Sequence, residues 1–331
     1  MSHEREDEVF SLLDPPGIIV NRLKGDPAEQ RAHSALSYRA TLDLDACLVG
    51  VPFDGASSVR TGSRHGPDAV RQALGYFTTY SGESRKRFGE ILKTADIGDV
   101  KTVLTDMKGS FANVTTVMRT LFESGIVPIT IGGDHSISWP ILEGLCTANG
   151  GKRVGIVHFD AHHDLREAHF GFESSGVPFR KALNFDGSPI KGRNFTQIGI
   201  AEFCNNPEHH DYALEQGVTV ITNTAVRRNG LAGYVTEAID RACDGTDAVY
   251  VSLDIDVIDQ SQAPGTASPN PNGLDARDLA IALYELGRNV KVAGLDIVEI
   301  SPPFDVNSTT ALTAASLLLH FLRGVSERNL P

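Results

Sequence analysis

The sequence predicts one α/β domain, in which a parallel sheet of about eight strands is covered by helices on both faces. Three observations predict it. Strand-like and helix-like segments alternate from residue 46 onward. The strand-like segments are short continuous apolar runs, as expected of strands buried on both faces, rather than runs that alternate with polar residues. No linker or shift of composition divides the 331 residues, of which 41% are hydrophobic and 22% charged, as in a soluble globular chain with a sizeable core.

Residues 1–45 are polar, and Pro15-Pro16-Gly17 and Asp26-Pro27 break any periodicity. An arm with one short helix is expected there, packed on the body or on a neighbouring subunit, or else disordered. Its acidic start, Met1-Ser2-His3-Glu4-Arg5-Glu6-Asp7-Glu8, lacks the basic and apolar regions of a secretory leader. No run approaches the roughly 18 apolar residues of a spanning helix, so a cytoplasmic location is expected. The domain proper, residues 46–331, opens with a strand at 47–52. A Gly-rich segment at 55–67 leads into a helix near 67–71, where Pro67 suits a first helical turn. After a strand at 92–97, Phe111, Val114, Met118, Leu121 and Phe122 share one helical face, and Gly125 stops that helix. Strands at 127–131 and 154–159 flank a helical stretch toward residue 145. Residues 165–193 form a polar excursion too long for an ordinary connection, and such loops are often functional. Strands at 194–200, 218–221, 248–253 and 290–295 follow, with helices at 207–216, 231–243, 276–287 and 309–322.

The net charge of −12 argues against a nucleic-acid partner, which draws on clustered Lys and Arg, and is compatible with a cationic substrate. Cys47, Cys146, Cys204 and Cys243 are widely spaced and are expected to be reduced, buried, small apolar residues.

Ligands of open parallel sheets sit at the carboxyl ends of the strands. The polar clusters fall there: Gly132 to Ser136, Asp160 to Asp164, Asp254 with Asp256, and Asp296 to Glu299. In an extended backbone residues 160, 162 and 164 project to one side, as do 254 and 256. Aspartates are seldom buried without a partner or a metal, so these need a cation. His135, Asp160, His162, Asp164, Asp254 and Asp256 are more ligands than one catalytic metal uses, and they fit two ions bridged by one or two carboxylates. Imidazole and carboxylate without thiolate suit Mn, Zn, Ni or Fe(II) rather than Cu(I) or an Fe–S cluster. A pair of such ions lowers the pKa of a shared water toward about 7, so hydrolysis is the expected chemistry. Alone, Asp160-Ala161-His162-His163-Asp164 would suit a helix cap with a salt-bridged histidine equally well; Gly133-Asp134-His135 and Ser252-Leu253-Asp254-Ile255-Asp256 at other strand ends favour the metal. Gly132-Gly133 has neither the dinucleotide nor the P-loop spacing.

Gly132-Gly133-Asp134-His135-Ser136, Phe159-Asp160-Ala161-His162-His163-Asp164 and Ser252-Leu253-Asp254-Ile255-Asp256 resemble the three metal signatures of the ureohydrolase family. That family includes arginase, agmatinase, guanidino-acid hydrolases and formimidoylglutamase. The resemblance runs from about residue 49 to 322. Val51-Pro52-Phe53-Asp54-Gly55 and Gly62-Ser63-Arg64-His65-Gly66-Pro67 resemble its N-terminal half, and Ala263-Pro264-Gly265-Thr266 and Asp296 to Asp305 its agmatinase-type members. It implies an arginase-like three-layer α/β/α sandwich, a small-molecule guanidino or amidine substrate, and a homo-oligomer, trimer or hexamer; with no long apolar run, no membrane partner is expected. It implies two divalent ions, Mn2+ first and Ni2+ second. One would be held by His135, Asp160, Asp164 and Asp254, the other by Asp160, His162, Asp254 and Asp256. Asp164 would orient the attacking hydroxide, and Glu299 would pair with the amidinium or guanidinium.

The departures bear on substrate. Arginases and agmatinases usually carry a His-Gly pair after the second metal motif, that His being a candidate proton shuttle. Here Ser174-Ser175-Gly176-Val177-Pro178-Phe179-Arg180 stands in its place and, with His163-Asp164-Leu165-Arg166, resembles formimidoylglutamase. Ser175 is therefore a candidate substrate contact. Arg166 is another, for a substrate carboxylate, unless it makes a structural ion pair. His163, His169 or His65 is expected to replace the missing shuttle, His163 first. The Pro-Gly-Thr and Val-Glu-Ile-Ser-Pro-Pro blocks lean toward agmatinase and guanidino-acid hydrolases. Guanidino compounds, yielding urea and an amine, are accordingly expected ahead of formimidoylglutamate, yielding formamide and glutamate. A non-catalytic relative that kept the fold would have lost ligands, whereas all six and Glu299 are present. A mononuclear zinc deacetylase is disfavoured by the second carboxylate, Asp256, and by Gly133-Asp134-His135.

Overall fold

The computed structural model describes residues 3–18, 29–168, 173–185 and 189–328. Its strands are β1 Leu13–Asp14, β2 Ala46–Val51, β3 Tyr80–Ser81, β4 Lys86–Arg87, β5 Thr94–Val100, β6 Val127–Gly132, β7 Val154–Phe159, β8 Ile190–Ile200, β9 Thr219–Thr222, β10 Ala248–Asp254 and β11 Val292–Val298. Strands β3 and β4 form a separate hairpin, and the other nine form one sheet in the order β1-β5-β2-β6-β11-β10-β7-β8-β9. Eight of these run parallel, as the apolar runs predict. The ninth comes from the arm, where β1 pairs antiparallel with β5, Leu13 opposite Val100. Ahead of it lies the helix His3–Ser11. Val9 and Leu13 are buried, and the Glu6 carboxylate accepts from the Leu42 N–H at 3.0 Å, so this stretch of the arm packs on the body.

Side chains alternate between the two faces of each strand, and each face has its own core. On one, Leu48, Ile129 and Leu295 pack with Val70, Val235, Leu283 and Leu318 from four helices. On the other, Val49, Ile97 and Tyr250 pack with Val117, Leu121, Ile141 and Ala182. Three layers result. The helix Met107–Glu123 illustrates the local logic: Asp106 caps it by accepting from Gly109 N–H at 2.9 Å, and Val114, Met118, Leu121 and Phe122 are buried. Gly125 ends it with φ of +71°, a conformation glycine adopts without strain.

Three expectations need correction. The excursion at 165–193 holds a helix, Pro178–Asn184, started by Pro178, and β8 begins at Ile190 rather than 194. The helix Asn223–Asn229 was not foreseen; Thr222 caps it by accepting from Ala225 N–H at 3.2 Å. Among the cysteines, all free, Cys47 and Cys146 are buried but Cys204 is exposed and Cys243 half-buried. Among the described residues no helix is long and apolar enough to cross a membrane.

The consequence for function lies in the strand order. Strands β6, β11, β10 and β7 are consecutive at the centre of the sheet. Their carboxyl ends, spaced by about 4.8 Å, carry the four polar clusters.

Candidate active site

Short turns, not strand alternation, gather the side chains. Strand β7 ends at Phe159, and the chain reaches Asp164 in left-handed backbone, φ +49°. The expected projection of 160, 162 and 164 from one extended strand is therefore incorrect. Asp256 likewise lies on a single 3-10 turn, Ile255–Val257, which Asp254 caps by accepting from Asp256 N–H at 2.8 Å. His135 sits on a similar turn, His135–Ile137, capped by Asp134, which accepts from Ser136 N–H at 3.0 Å. Each cap folds the next ligand back toward the strand it has just left. Gly133 allows the approach: a Cβ there would lie 1.8 Å from the Phe53 carbonyl oxygen. Glu299 follows β11 with φ +63°, and its N–H donates to Gly133 O at 2.9 Å. Two carboxylate residues in left-handed backbone at one site mark stored strain of the kind functional sites carry.

The six expected ligands meet. His135 Nδ1 lies 3.1 Å from Asp160 Oδ2, 3.1 Å from Asp164 Oδ2 and 3.2 Å from Asp254 Oδ2. His162 Nδ1 lies 3.3 Å from Asp160 Oδ1 and 3.1 Å from Asp256 Oδ2. Asp160 thus offers one oxygen to each group. His135 Nδ1 is buried and makes no well-aligned hydrogen bond despite three carboxylate oxygens around it. A lone pair so surrounded is what a metal ligand requires, and the donor set fits divalent ions.

The charges are poised against one another. Burial alone would lower His135, but Asp160, Asp164 and Asp254 outweigh it and hold the imidazole well above its ordinary pKa. For His162, too, burial is outweighed, here by Asp256 and Asp160. Burial and the neighbouring Asp256 and Asp160 push Asp254 well up. Burial pushes Asp256 up to about 6, with His162 opposing. Protons stand in this pocket where cations would otherwise sit.

Beneath the ligands lies a polar row that sequence reasoning missed. In register across the sheet, Thr130, Asp296, Ser252 and His158 stand on β6, β11, β10 and β7, all fully buried. Asp296 was expected at the rim beside Glu299; it lies inside β11, where its carboxylate accepts from Ser138 Oγ (2.7 Å), Ser252 Oγ (2.7 Å) and Tyr250 OH (2.9 Å). Ser252, its proton given to Asp296, accepts from His135 Nε2–H at 2.9 Å, which leaves Nδ1 as the lone pair facing the carboxylates. His158 Nε2 lies 2.9 Å from Asp160 Oδ2 and donates to it. Phe179 covers both rings, with centroids 5.3 Å from His135 and 4.1 Å from His158. The available signal was the alternation of Tyr250, Ser252 and Asp254 within an otherwise apolar run.

The cavity above is lined by His162, Asp164, Asp254, Asp256 and Glu299, together with Arg166, Ser175, Gly176, Ser57, Ser58, Thr266 and Ser268. Glu299 Oε1 accepts from His135 N–H at 3.0 Å, while Oε2 is buried without a partner. Arg166 lies against Gly176, where a Cβ would come within 2.7 Å of its Cδ. It makes no ion pair among the described residues, and its side chain lines the cavity. His163 is a correction. It is 1% exposed and does not line the cavity; Nδ1 faces Gln197 Oε1 at 2.7 Å and Nε2 faces His210 Nδ1 at 3.2 Å. Burial also pushes it down to about 4. His65 is exposed and outside the lining, and His169 lies outside the described residues.

The chain is similar to known proteins over most of its length. Residues 44–323 match the Arginase family. The chain is 37% identical over 279 residues to formimidoylglutamase of Halalkalibacterium halodurans, covering 84% of this chain and 86% of that one. It is 34% identical over 285 residues to guanidinopropionase of Pseudomonas aeruginosa, covering 84% and 86%. The crystal structure of formimidoylglutamase from Bacillus subtilis matches with a TM-score of 0.88 at 31% identity, over 95% of this chain and 97% of that one.

Proposed function

Because the chain belongs to the arginase family and hydrolyses carbon–nitrogen bonds of linear amidines, we propose that its substrate carries a carboxylate at the end remote from the amidine. Formimidoylglutamate is placed first and a guanidino acid second. One observation carries this reading. The same cavity holds a carboxylate oxygen, Glu299 Oε2, and a guanidinium, Arg166, that have no partner of opposite charge among the described residues. These two anchors suit a molecule that is cationic at one end and anionic at the other. Agmatine, cationic at both, would bring its ammonium toward Arg166, and like charges repel. The substitution of Ser175 for a family His supports placing formimidoylglutamate first, ahead of the guanidino compounds that the sequence blocks favour.

Two divalent ions, Mn2+ first, would be held by His135, Asp160, Asp164 and Asp254 and by Asp160, His162, Asp254 and Asp256. When bound they lower the pKa of a shared water toward about 7 and supply a nucleophile at neutral pH. Glu299, its other oxygen fixed by His135 N–H, accepts from the amidinium and holds the planar carbon toward Asp160 and Asp164. Attack forms a carbon–oxygen bond, and the carbon–nitrogen bond to the amino acid then breaks. Among the described residues the lining contains no histidine beyond the ligand His162. Asp164, which lines the cavity, is the group we place to carry the proton to the departing nitrogen. The products are formamide and glutamate, or urea and an amino acid.

The test is an assay of Mn2+-loaded protein with formimidoylglutamate, guanidinopropionate, guanidinobutyrate, arginine and agmatine, reading formamide and urea. Turnover of a carboxylated substrate with agmatine the poorest supports the proposal. Agmatine as the best substrate would sink it.

A further inference from the structure

The loop from Asp160 to Asp164 carries three of the expected ligands, yet it leaves β7 at once and ends in left-handed backbone. Past Asp160, whose N–H still donates to Ile198 O at 3.1 Å, neither ladder nor helix continues, so the polar backbone groups must be satisfied individually. Ala161 N–H donates to Asp256 Oδ1 at 3.3 Å and His162 N–H to Asp160 Oδ1 at 2.6 Å, both within the site. Ala201 N–H donates to Ala161 O at 2.9 Å and Phe179 N–H to Asp164 O at 3.3 Å. Two side chains from beyond the site hold His163 between them. Gln197, fully buried on β8, donates from Nε2 to His163 O at 2.7 Å. Asn205, half-buried in the turn after β8, accepts at Oδ1 from His163 N–H at 2.9 Å and donates from Nδ2 to Ala161 O at 2.9 Å. Both backbone polar groups of His163 are thus held by side chains.

The Gln197 amide has one workable orientation. Its nitrogen must face His163 O, because the reverse would set two carbonyl oxygens against each other. That nitrogen also donates to His158 Nδ1 at 3.2 Å. With Nδ1 accepting, the neutral His158 ring bears its proton on Nε2 and gives it to Asp160 Oδ2. A single buried amide therefore fixes the loop backbone and the imidazole behind the carboxylate common to both ligand groups.

We propose that Gln197 and Asn205 are positioning residues that hold Asp160, His162 and Asp164 in their ion-binding arrangement before any ion arrives. This rests on the two-metal reading and extends it to residues that touch neither ion nor substrate. A loop already ordered in the metal-free chain leaves little to be ordered on binding, so ion affinity is where the two residues act.

The experiment is calorimetric titration of Mn2+ into the metal-free full-length chain, for the wild type and for Gln197→Met, Asn205→Ala and Asn205→Asp, with thermal melts alongside. Gln197→Met and Asn205→Ala are expected to raise the Mn2+ dissociation constant about ten- to a hundredfold. Asn205→Asp, which keeps the acceptor for His163 N–H, should lose less. At saturating Mn2+ the KM for substrate should return to the wild-type value. A lowered melting temperature with unchanged Mn2+ affinity would assign both residues to stability alone and overturn the proposal. Should Gln197→Met not fold, the two Asn205 variants decide. Two ions bound equally by wild type and variants remove only the positioning role, whereas a wild-type chain that takes up no Mn2+ removes the two-metal reading with it.

Discussion

In the proposed function Glu299 receives the cationic end of the substrate. Its backbone is left-handed, one carboxylate oxygen is occupied by His135 N–H, and the other has no partner. Burial, reinforced by Asp254 and Asp134, pushes it well above the usual carboxylate range, so cationic company is needed to keep it ionised. Glu299→Gln preserves the acceptor for His135 but turns a donor toward the amidinium. It is expected to lower kcat/KM by roughly a hundredfold or more with Mn2+ content intact; an unchanged kcat/KM would show that Glu299 does not hold the amidinium. At this scale the ligands were legible because aspartates at the ends of apolar runs are conspicuous. His158, Ser252 and Gln197 were not, since a polar residue inside a buried strand gains meaning only from the register that sets it beside another. His163 misled for the opposite reason: its place between two ligands suggested the cavity, whereas the turn after Phe159 aims its ring away.

In the proposed function, the segment around Gly176 that packs against Arg166 would set specificity. Arg166 and Gly176 are joined by Arg166 N–H donating to Gly176 O at 2.9 Å, and the Arg166 side chain runs across the space a Cβ of residue 176 would fill. Arg166→Ala should raise KM for carboxylated substrates about tenfold, the roughly 1.5 kcal/mol of a charge-assisted pair at an exposed residue, and leave uncarboxylated amidines unaffected. Gly176→Ala should do nearly the same without unfolding the chain, because the atoms it displaces belong to a flexible side chain. Equal losses on both kinds of substrate, measured by steady-state kinetics, would dismiss Arg166 as the carboxylate anchor. Long periodic elements such as Met107–Glu123 could be read from the sequence. The two-residue β1 and the seven-residue helix Pro178–Asn184 could not, since neither is long enough to display a period.

For the molecule as a whole, the central fact is that four adjacent strands at the middle of the sheet end in acid and imidazole. Without cations this is a source of instability whose sign follows from the shifts. Asp256 and Asp134 are pushed by burial from 3.8 to about 6, so their contribution is fully present below about 4 and is lost as pH rises through 6. His135 and His162, held protonated by the carboxylates, must yield their protons to an incoming ion. Mn2+ uptake should therefore release protons and strengthen as pH rises, and Mn2+ should raise Tm more at the higher pH. Calorimetry in buffers of different protonation enthalpy checks this; uptake without proton release contradicts it. The parallel order of the strands and the rim they share were readable from apolar runs with charged ends, but not the short turns that bring the rim to a point.

The most direct measurement is the number of Mn2+ ions retained per chain after saturation and removal of the excess, read by elemental mass spectrometry against protein concentration. Six side chains arranged as two groups sharing Asp160 predict two ions, falling to one or fewer in Asp256→Ala. One ion in the wild type, or none, would contradict the paired centre from which the chemistry follows.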